Sequence, residues 1–308
     1  MTDEQQFKRL ARRLKWRRWV ITILIAFVVC VGTLGVGLKI MDTRSRQATA
    51  WENNYFDLVG TLLSPNIRVS DQYLTNRTMG SGQLVSHRYK QIEGQRLVWS
   101  PLVANYSWLT GPETPSAFNS TDDERNAAYN RVTQQRVPIF YNCRYHPSTQ
   151  ARDYHLAHDL KKVQRTPNRI TEMALTFDQP LTYDQIRKRL PRGVHAVWYW
   201  LGVPKGADTT TMENNFLGVQ ASGPQGELTT RDYRYFRQTL VRADRSKIDL
   251  NGLFAYGGRY ARHYPTPKTA KFAGAIVTGK SDDFRQLGQP QWVAASSVGY
   301  FQAVATFK

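Results

Sequence analysis

The sequence predicts an α+β protein carried on one N-terminal transmembrane helix. Three observations predict it. Trp19 to Leu38 is an unbroken run of 20 residues without a charged side chain. The last part of the chain twice shows a strand, a short helix and a second strand. The hydrophobic content of 41% and aromatic content of 12% suit a folded exterior rather than a disordered one.

The span comes first because it fixes location. About 20 helical residues cross the roughly 30 Å hydrocarbon layer. A buried core helix would normally keep a polar face, and WVITILIAFVVCVGTLGVGL has none. A cleaved signal peptide would have an apolar region of roughly 7–15 residues and an A-x-A-like site. Here the run is longer, and Lys39-Ile40-Met41-Asp42 follows it. Residues 1–18 carry seven Lys or Arg, and the twenty residues after Leu38 carry three. Positive charge stays on the cytoplasmic side, which puts the N-terminus inside and residues 39–308 outside. Trp16 and Trp19 sit where an interfacial aromatic belt belongs. Only one span is visible, and the mean hydropathy of −0.51 reflects a water-facing exterior.

The basic tail, residues 1–18, is itself patterned. Phe7, Leu10, Ala11 and Leu14 follow the i, i+3, i+4, i+7 spacing of one helical face. Such a helix lies on the anionic inner leaflet or docks a cytoplasmic partner. Cys30 lies within the span, and Cys143 is the one cysteine outside it. The exterior therefore forms no internal disulfide and depends on its core, with Cys143 read as a buried free thiol ahead of a mixed disulfide with another chain.

Outside the membrane the reading divides the chain into residues 39–165 and 166–308. In the first part, Ala48–Leu63 continues outward as a helix, which Ser64-Pro65-Asn66 breaks. Ile67-Arg68-Val69 and Leu84–Tyr89 are strands, with turn residues at Gly80-Ser81-Gly82. Pro112 to Thr121 is a loop. Asp122–Gln135 is expected to be helical, since its acidic start suits the helix dipole.

In the second part, Ile170–Phe177 is a strand ended by Asp178-Gln179-Pro180. Thr182 caps a helix from Tyr183 to Leu190, and Val194–Val203 is the next strand. Phe272–Thr278, a helix capped by Ser281 or Asp282 and running to Leu287, and Trp292–Tyr300 repeat the pattern. Two such units suggest a ferredoxin-like sheet backed by helices on one face, although other α+β arrangements fit the same pattern. Between the units, Thr230–Arg245 is a helix. At 100° per residue, Arg231, Arg234, Arg242 and Arg245 fall in one sector of roughly 80°, opposite Tyr233, Phe236, Leu240 and Ala243. That row of guanidinium groups suits phosphate or carboxylate, though an exposed charged row also serves as a plain solvated face.

Catalytic, cofactor and metal sites are not expected. There is no G-x-S-x-G elbow, and Gly279-Lys280 lacks the upstream glycine of a phosphate loop. Cys143 and His146 are near in sequence, but proximity alone does not make a nucleophile and a base. His155, His158, Asp159 and His146 lack the patterns that zinc sites show.

Several stretches resemble the sigma-factor regulator family of Gram-positive single-pass membrane proteins. They include Ser64-Pro65-Asn66-Ile67, Val69-Ser70-Asp71, Tyr89-Lys90-Gln91-Ile92-Glu93-Gly94 and Trp99. Further on come Leu175-Thr176-Phe177-Asp178-Gln179-Pro180-Leu181, Val197-Trp198-Tyr199-Trp200, Gly274-Ala275-Ile276-Val277-Thr278-Gly279-Lys280 and Ala295-Ser296-Ser297-Val298-Gly299. The resemblance implies control of an extracytoplasmic-function sigma factor, with anti-sigma activity in typical members. It departs in one respect, because a tail of about 18 residues is too short to enclose a sigma factor as a folded domain would.

The sequence is thus read as a non-enzymatic membrane regulator or sensor without cofactor. Its expected partners are membrane lipid, a second membrane protein and, directly or indirectly, a sigma factor. The alternative is an envelope-binding protein without signalling. Its net charge of +18 includes an excess of 13 basic over acidic residues in 39–308, once the seven basic and two acidic residues of the tail are set aside. Such an exterior would adhere to anionic wall polymers or lipid headgroups. Nucleic acid is not expected there.

Overall fold

The protein is described here from a computed structural model. The structure describes residues 3–76, 79–115, 119–122, 127–144, 156–207, 209, 216–246, 248 and 252–303. Helix α1 (Asp3–Leu62) runs as one 60-residue rod through the tail, the apolar run and the stalk beyond it. The helix continues outward from the apolar run as the sequence reading expects, since no glycine pair or proline interrupts 39–62, and it ends at Ser64-Pro65-Asn66 as the proline requires.

The first sheet is an antiparallel meander in the order β1-β2-β3-β4, formed by β1 (Ile67–Asn76), β2 (Ser81–Ile92), β3 (Gln95–Ser107) and β4 (Gly111–Pro112). Glu93 and Gly94 join β2 to β3, with φ of 47° and 82°. Positive φ at both central residues is what a two-residue hairpin needs to match the strand twist.

A small second sheet contains β5 (Ser120–Asp122), β6 (Ala128–Asn130) and β7 (Arg136–Val137). It corrects the helix expected over Asp122–Gln135. Asn130 explains the difference. Its Oδ1 accepts from Val132 N at 3.0 Å and Thr133 N at 2.9 Å, while its Nδ2 donates to buried Ser100 Oγ at 2.7 Å. Side-chain bonds of this kind offer the backbone a turn in place of a helix.

Helix α2 (Leu160–Arg165) leads into the third sheet, whose order is β10-β9-β11-β8-β12. Its strands are β8 (Arg169–Thr182), β9 (Val194–Trp200), β10 (Gly218–Gln220), β11 (Lys271–Lys280) and β12 (Val293–Ala303). Helix α3 (Tyr183–Arg189) connects β8 to β9. Helix α6 (Ser281–Phe284), extended by a 3-10 turn at Arg285–Leu287, connects β11 to β12. Every neighbouring pair is antiparallel. The four strands of the two units therefore interleave in the ferredoxin-like order, with β10 added at the β9 edge. The segments Ile170–Phe177 and Phe272–Thr278 both lie in internal strands.

Two details depart from the expectation. Ile170 to Phe177 is buried at every position rather than at alternate ones, so this sheet is covered on both faces. The Thr182 cap forms, completed by Gln185 as a capping box, but α6 has no side-chain cap. Instead, Ser281 Oγ accepts from Arg169 N and Asp282 Oδ2 from Asn168 N, both at 3.0 Å, which ties the start of β8 to the end of β11.

Helices α4 (Thr230–Arg245) and α5 (Leu253–His263) lie between β10 and β11 in sequence and pack on each other. Gly257 permits their approach, since a Cβ there would stand 2.7 Å from Leu240 Cδ2.

One hydrophobic core joins all of this. It contains Tyr55, Leu58, Val59 and Leu62 of α1, Leu84, Trp99 and Leu102 of the first sheet, and Trp198, Tyr199, Trp200 and Phe272 of the third. A charged pair sits within it. Lys90 Nζ meets Glu172 Oε2 at 2.6 Å, with side-chain exposures of 2% and 0%. Asn66 Nδ2 donates to Glu172 Oε1 at 2.8 Å, and Lys90 lies 4.3 Å from the centre of the Trp99 ring. Nearby, Thr278 Oγ1 donates to Glu93 Oε1 at 2.8 Å, a second polar tie between the sheets.

Removing one charge of a buried pair strands the other. Glu172→Gln should therefore cost about 3–5 kcal/mol of stability, read as a fall in the thermal midpoint of the detergent-solubilised protein. Replacing Lys90 and Glu172 together by Met and Leu should recover much of that loss. An unchanged midpoint in Glu172→Gln would show that the pair carries no weight.

Candidate functional site

The feature most suited to conveying information is the stalk, the part of α1 beyond Leu38. Its contacts begin at Met41 and Ser45, both half-buried, and continue through buried Ala48, Glu52, Tyr55, Phe56, Val59 and Leu62. These positions recur every three or four residues, so one face of the helix lies along the folded part of the chain. Trp51 stacks on Tyr55 with ring centres 5.5 Å apart, and Tyr55 Oη donates to Pro115 O at 2.9 Å. On a neighbouring face, Asp57 accepts from Tyr235 Oη at 3.2 Å and pairs with Arg242, both from α4. Asn53 Oδ1 accepts from Gln72 of β1 at 2.9 Å. The stalk thus touches the first sheet, the core and α4 at once.

Glu52 is the anomaly of this surface. It is fully buried, yet neither carboxylate oxygen has a hydrogen-bond partner of ordinary geometry. Burial pushes its carboxyl up to about 7 from an ordinary 4.5. The Glu113 backbone opposes that shift and the Glu113 charge reinforces it. Arg88, also buried, donates through Nε to Ser100 O at 2.9 Å, and burial pulls its guanidinium down to about 10. Lys90 and Arg88 lie on the β2 face that also buries Leu84 and Ile92. Sequence reasoning passed over Lys90, Arg88, Glu172 and Glu52. The available signal was charge at inward positions, in a strand for Arg88 and Lys90 and on the apolar face of a helix for Glu52.

The residues singled out from sequence fall as follows. Arg231, Arg234, Arg242 and Arg245 are all exposed along α4, opposite buried Tyr233, Phe236, Leu240 and Ala243. Arg242 is engaged with Asp57, whereas Arg231, Arg234 and Arg245 meet no protein partner among the described residues. Phe7, Leu10, Ala11 and Leu14 are all exposed on α1. Cys143 is free and half-buried, and its thiol is raised chiefly by burial, the opposite of what activates a thiol nucleophile. His146 and His155 lie outside the described residues. Among the described residues, no three His, Cys, Asp or Glu side chains are grouped as metal ligands would be.

Comparison with known proteins adds two matches. A family model for the sigma factor regulator N-terminal region matches residues 8–97, and one for the C-terminal region matches residues 160–300. The first match begins inside the basic tail and ends within β3, earlier at both ends than the resemblance read from sequence. No curated protein and no solved structure matches the chain.

The Glu52 geometry has a definite pH consequence. Its folded-state value is raised, so the native state holds a proton that the unfolded chain releases near 4.5. Its effect on stability is therefore absent below about 4.5, becomes increasingly unfavourable as pH rises to about 7, and is level above that. Glu52→Gln should be more stable than the parent at about pH 8 and equal to it at about pH 4, by thermal unfolding in detergent. The same difference at both pH values would show that the Glu52 carboxyl is not shifted by folding.

Proposed function

The chain belongs to the sigma factor regulator family, and on that premise we propose that it is a membrane-anchored, non-enzymatic regulator that carries a signal from its exterior to a sigma factor. One observation supports the route above all. A single helix, α1, contains the basic tail, the apolar run and the buried stalk residues Tyr55, Phe56, Val59 and Leu62. A helix without a break transmits rotation or tilt of the folded exterior to the tail. The orientation in this reading, tail inside and sheets outside, rests on the seven-to-three charge asymmetry of the flanks.

The tail does not act alone in this proposal. Its apolar anchors are Phe7, Leu10, Ala11 and Leu14. Burying a large apolar side chain contributes roughly 1.5–3 kcal/mol, against the cost of ordering a peptide. Micromolar affinity, on the order of −8 kcal/mol, is the ceiling such a set supports, and the inner leaflet competes for the same face. A second membrane protein, met through the span or the exterior, completes the complex. Exposed Arg231, Arg234 and Arg245 favour an accessory reading, in which anionic wall polymer or headgroups hold the exterior.

A flexible five-residue Gly/Ser insert between Lys39 and Ile40 tests the route. The exterior fold should survive, and sigma-dependent transcription should lose its response to envelope stress. Changing Arg231, Arg234 and Arg245 to Ser should weaken salt-sensitive wall binding and leave the fold intact. A full transcriptional response from the insert variant would contradict transmission through α1. Unchanged wall binding by the Arg variant would leave that row a solvated face.

A further inference from the structure

Two turns of the first sheet come together beside the outer end of the apolar run. Gly80 lies in the turn between β1 and β2, with φ of 64°, and a Cβ there would stand 2.6 Å from Met41 Cγ and 3.4 Å from Trp108 Cδ1. Trp108, at the end of β3, donates its backbone N–H to Gly80 O at 3.3 Å. The turn at Gly80 therefore touches both Met41 of α1 and the turn at Trp108. Met41 is three residues beyond Leu38, about 4.5 Å along the helix axis at roughly 1.5 Å per residue. That height belongs to the headgroup region if α1 crosses the bilayer at Trp19–Leu38.

The side chains at these tips are of the kind that region accepts. Met79 is 80% exposed and Leu109 is 70% exposed, and Trp108 beside them is half-buried. Met79 and Leu109 are among the most exposed large apolar residues outside α1, and the fold gives them no apolar cover. Tryptophan prefers the membrane–water interface, and apolar tips gain by entering it. The ionic groups nearest this level on α1, Asp42 and Arg46, are exposed and pair with each other at 3.0 Å.

We propose that Met79 and Trp108–Leu109 enter the headgroup layer of the leaflet from which α1 emerges, so that the exterior fold stands on the lipid surface as well as being tethered to it. The occupant of this surface is phospholipid, the one partner whose position α1 itself fixes. The proposal rests on the reading of α1 as a span. Its consequence for the proposed function is geometric. A fold held at two turns and one helix has a defined attitude to the membrane, and lifting the turns tilts α1.

Spin-label depth measurement on the full chain in phosphatidylcholine–phosphatidylglycerol liposomes tests this. Cys30 and Cys143 are first changed to Ser. Single labels are then placed by Met79→Cys, Leu109→Cys, Val132→Cys as an exposed site on the small sheet, and Val29→Cys within the apolar run. Collision with oxygen is compared with collision with a water-soluble nickel chelate. Labels at 79 and 109 should shift toward the oxygen-favouring ratio of 29 and away from the aqueous ratio of 132. If 79 and 109 match 132 while 29 remains in lipid, the lipid-docking proposal fails and the span stands. If 29 also reads as aqueous, the span itself fails and takes the proposal with it. Protection of 79 and 109 from both reagents would mean cover by protein, a second copy included, and would likewise overturn it.

Discussion

Lys90 and Glu172 are buried together, each as the other's charge partner. Desolvating either alone would cost several kcal/mol, and that cost is offset only when geometry is good and the spare hydrogen-bonding positions are filled. Here Asn66 fills one position on Glu172, and the Trp99 ring lies near the ammonium group. The three side chains that bond each other come from the end of the stalk loop, from β2 and from β8. Each is placed by a different element, so the pair forms only when those elements are already in register. This makes the pair a constraint on how the first and third sheets meet, whatever its net contribution to stability.

The stalk depends on that meeting. Tyr55, Leu58, Val59 and Leu62 pack into the core that the two sheets share, and Asp57 reaches Tyr235 and Arg242 on α4. Moving one sheet against the other would therefore disturb the packing of α1. Glu52 lies on the same buried face without a hydrogen-bond partner of ordinary geometry, a site where protonation alters the cost of holding the stalk in place. Regulation in this account needs no catalytic group. It needs a helix held at one end by a fold and carrying a basic segment on the other side of its apolar run.

Much of this was legible in the sequence, and the limits have physical causes. The charge-free run, the Thr182 cap, the helix Thr230–Arg245 and both strand–helix–strand units are local patterns, and they appear where periodicity puts them, although the cap expected at Ser281 or Asp282 does not form. The Arg row on α4 likewise follows from 100° per residue. The helix expected over Asp122–Gln135 failed because Asn130 bonds to Ser100, thirty residues away, and that contact has no local trace. The burial of Ile170–Phe177 on both faces was hidden for a related reason, since it depends on what covers the third sheet. Lys90 and Glu172 were 82 residues apart as unrelated charges, and only the fold makes them partners. Arg242 seemed one of four equivalent guanidinium groups until the stalk supplied Asp57.

The central claim is that the two larger sheets and the stalk form one cooperative unit, held in register by the buried pair. Native-state hydrogen exchange on the full-length protein in detergent micelles tests it most directly. Amides of Tyr89–Ile92 in β2, Thr171–Thr176 in β8 and Leu58–Leu62 in the stalk should open with one common free energy, and Glu172→Gln should lower all three together. Opening of β2 and the stalk at low free energy while β8 stays protected would contradict the claim, and would mean that the sheets are separate units that happen to touch.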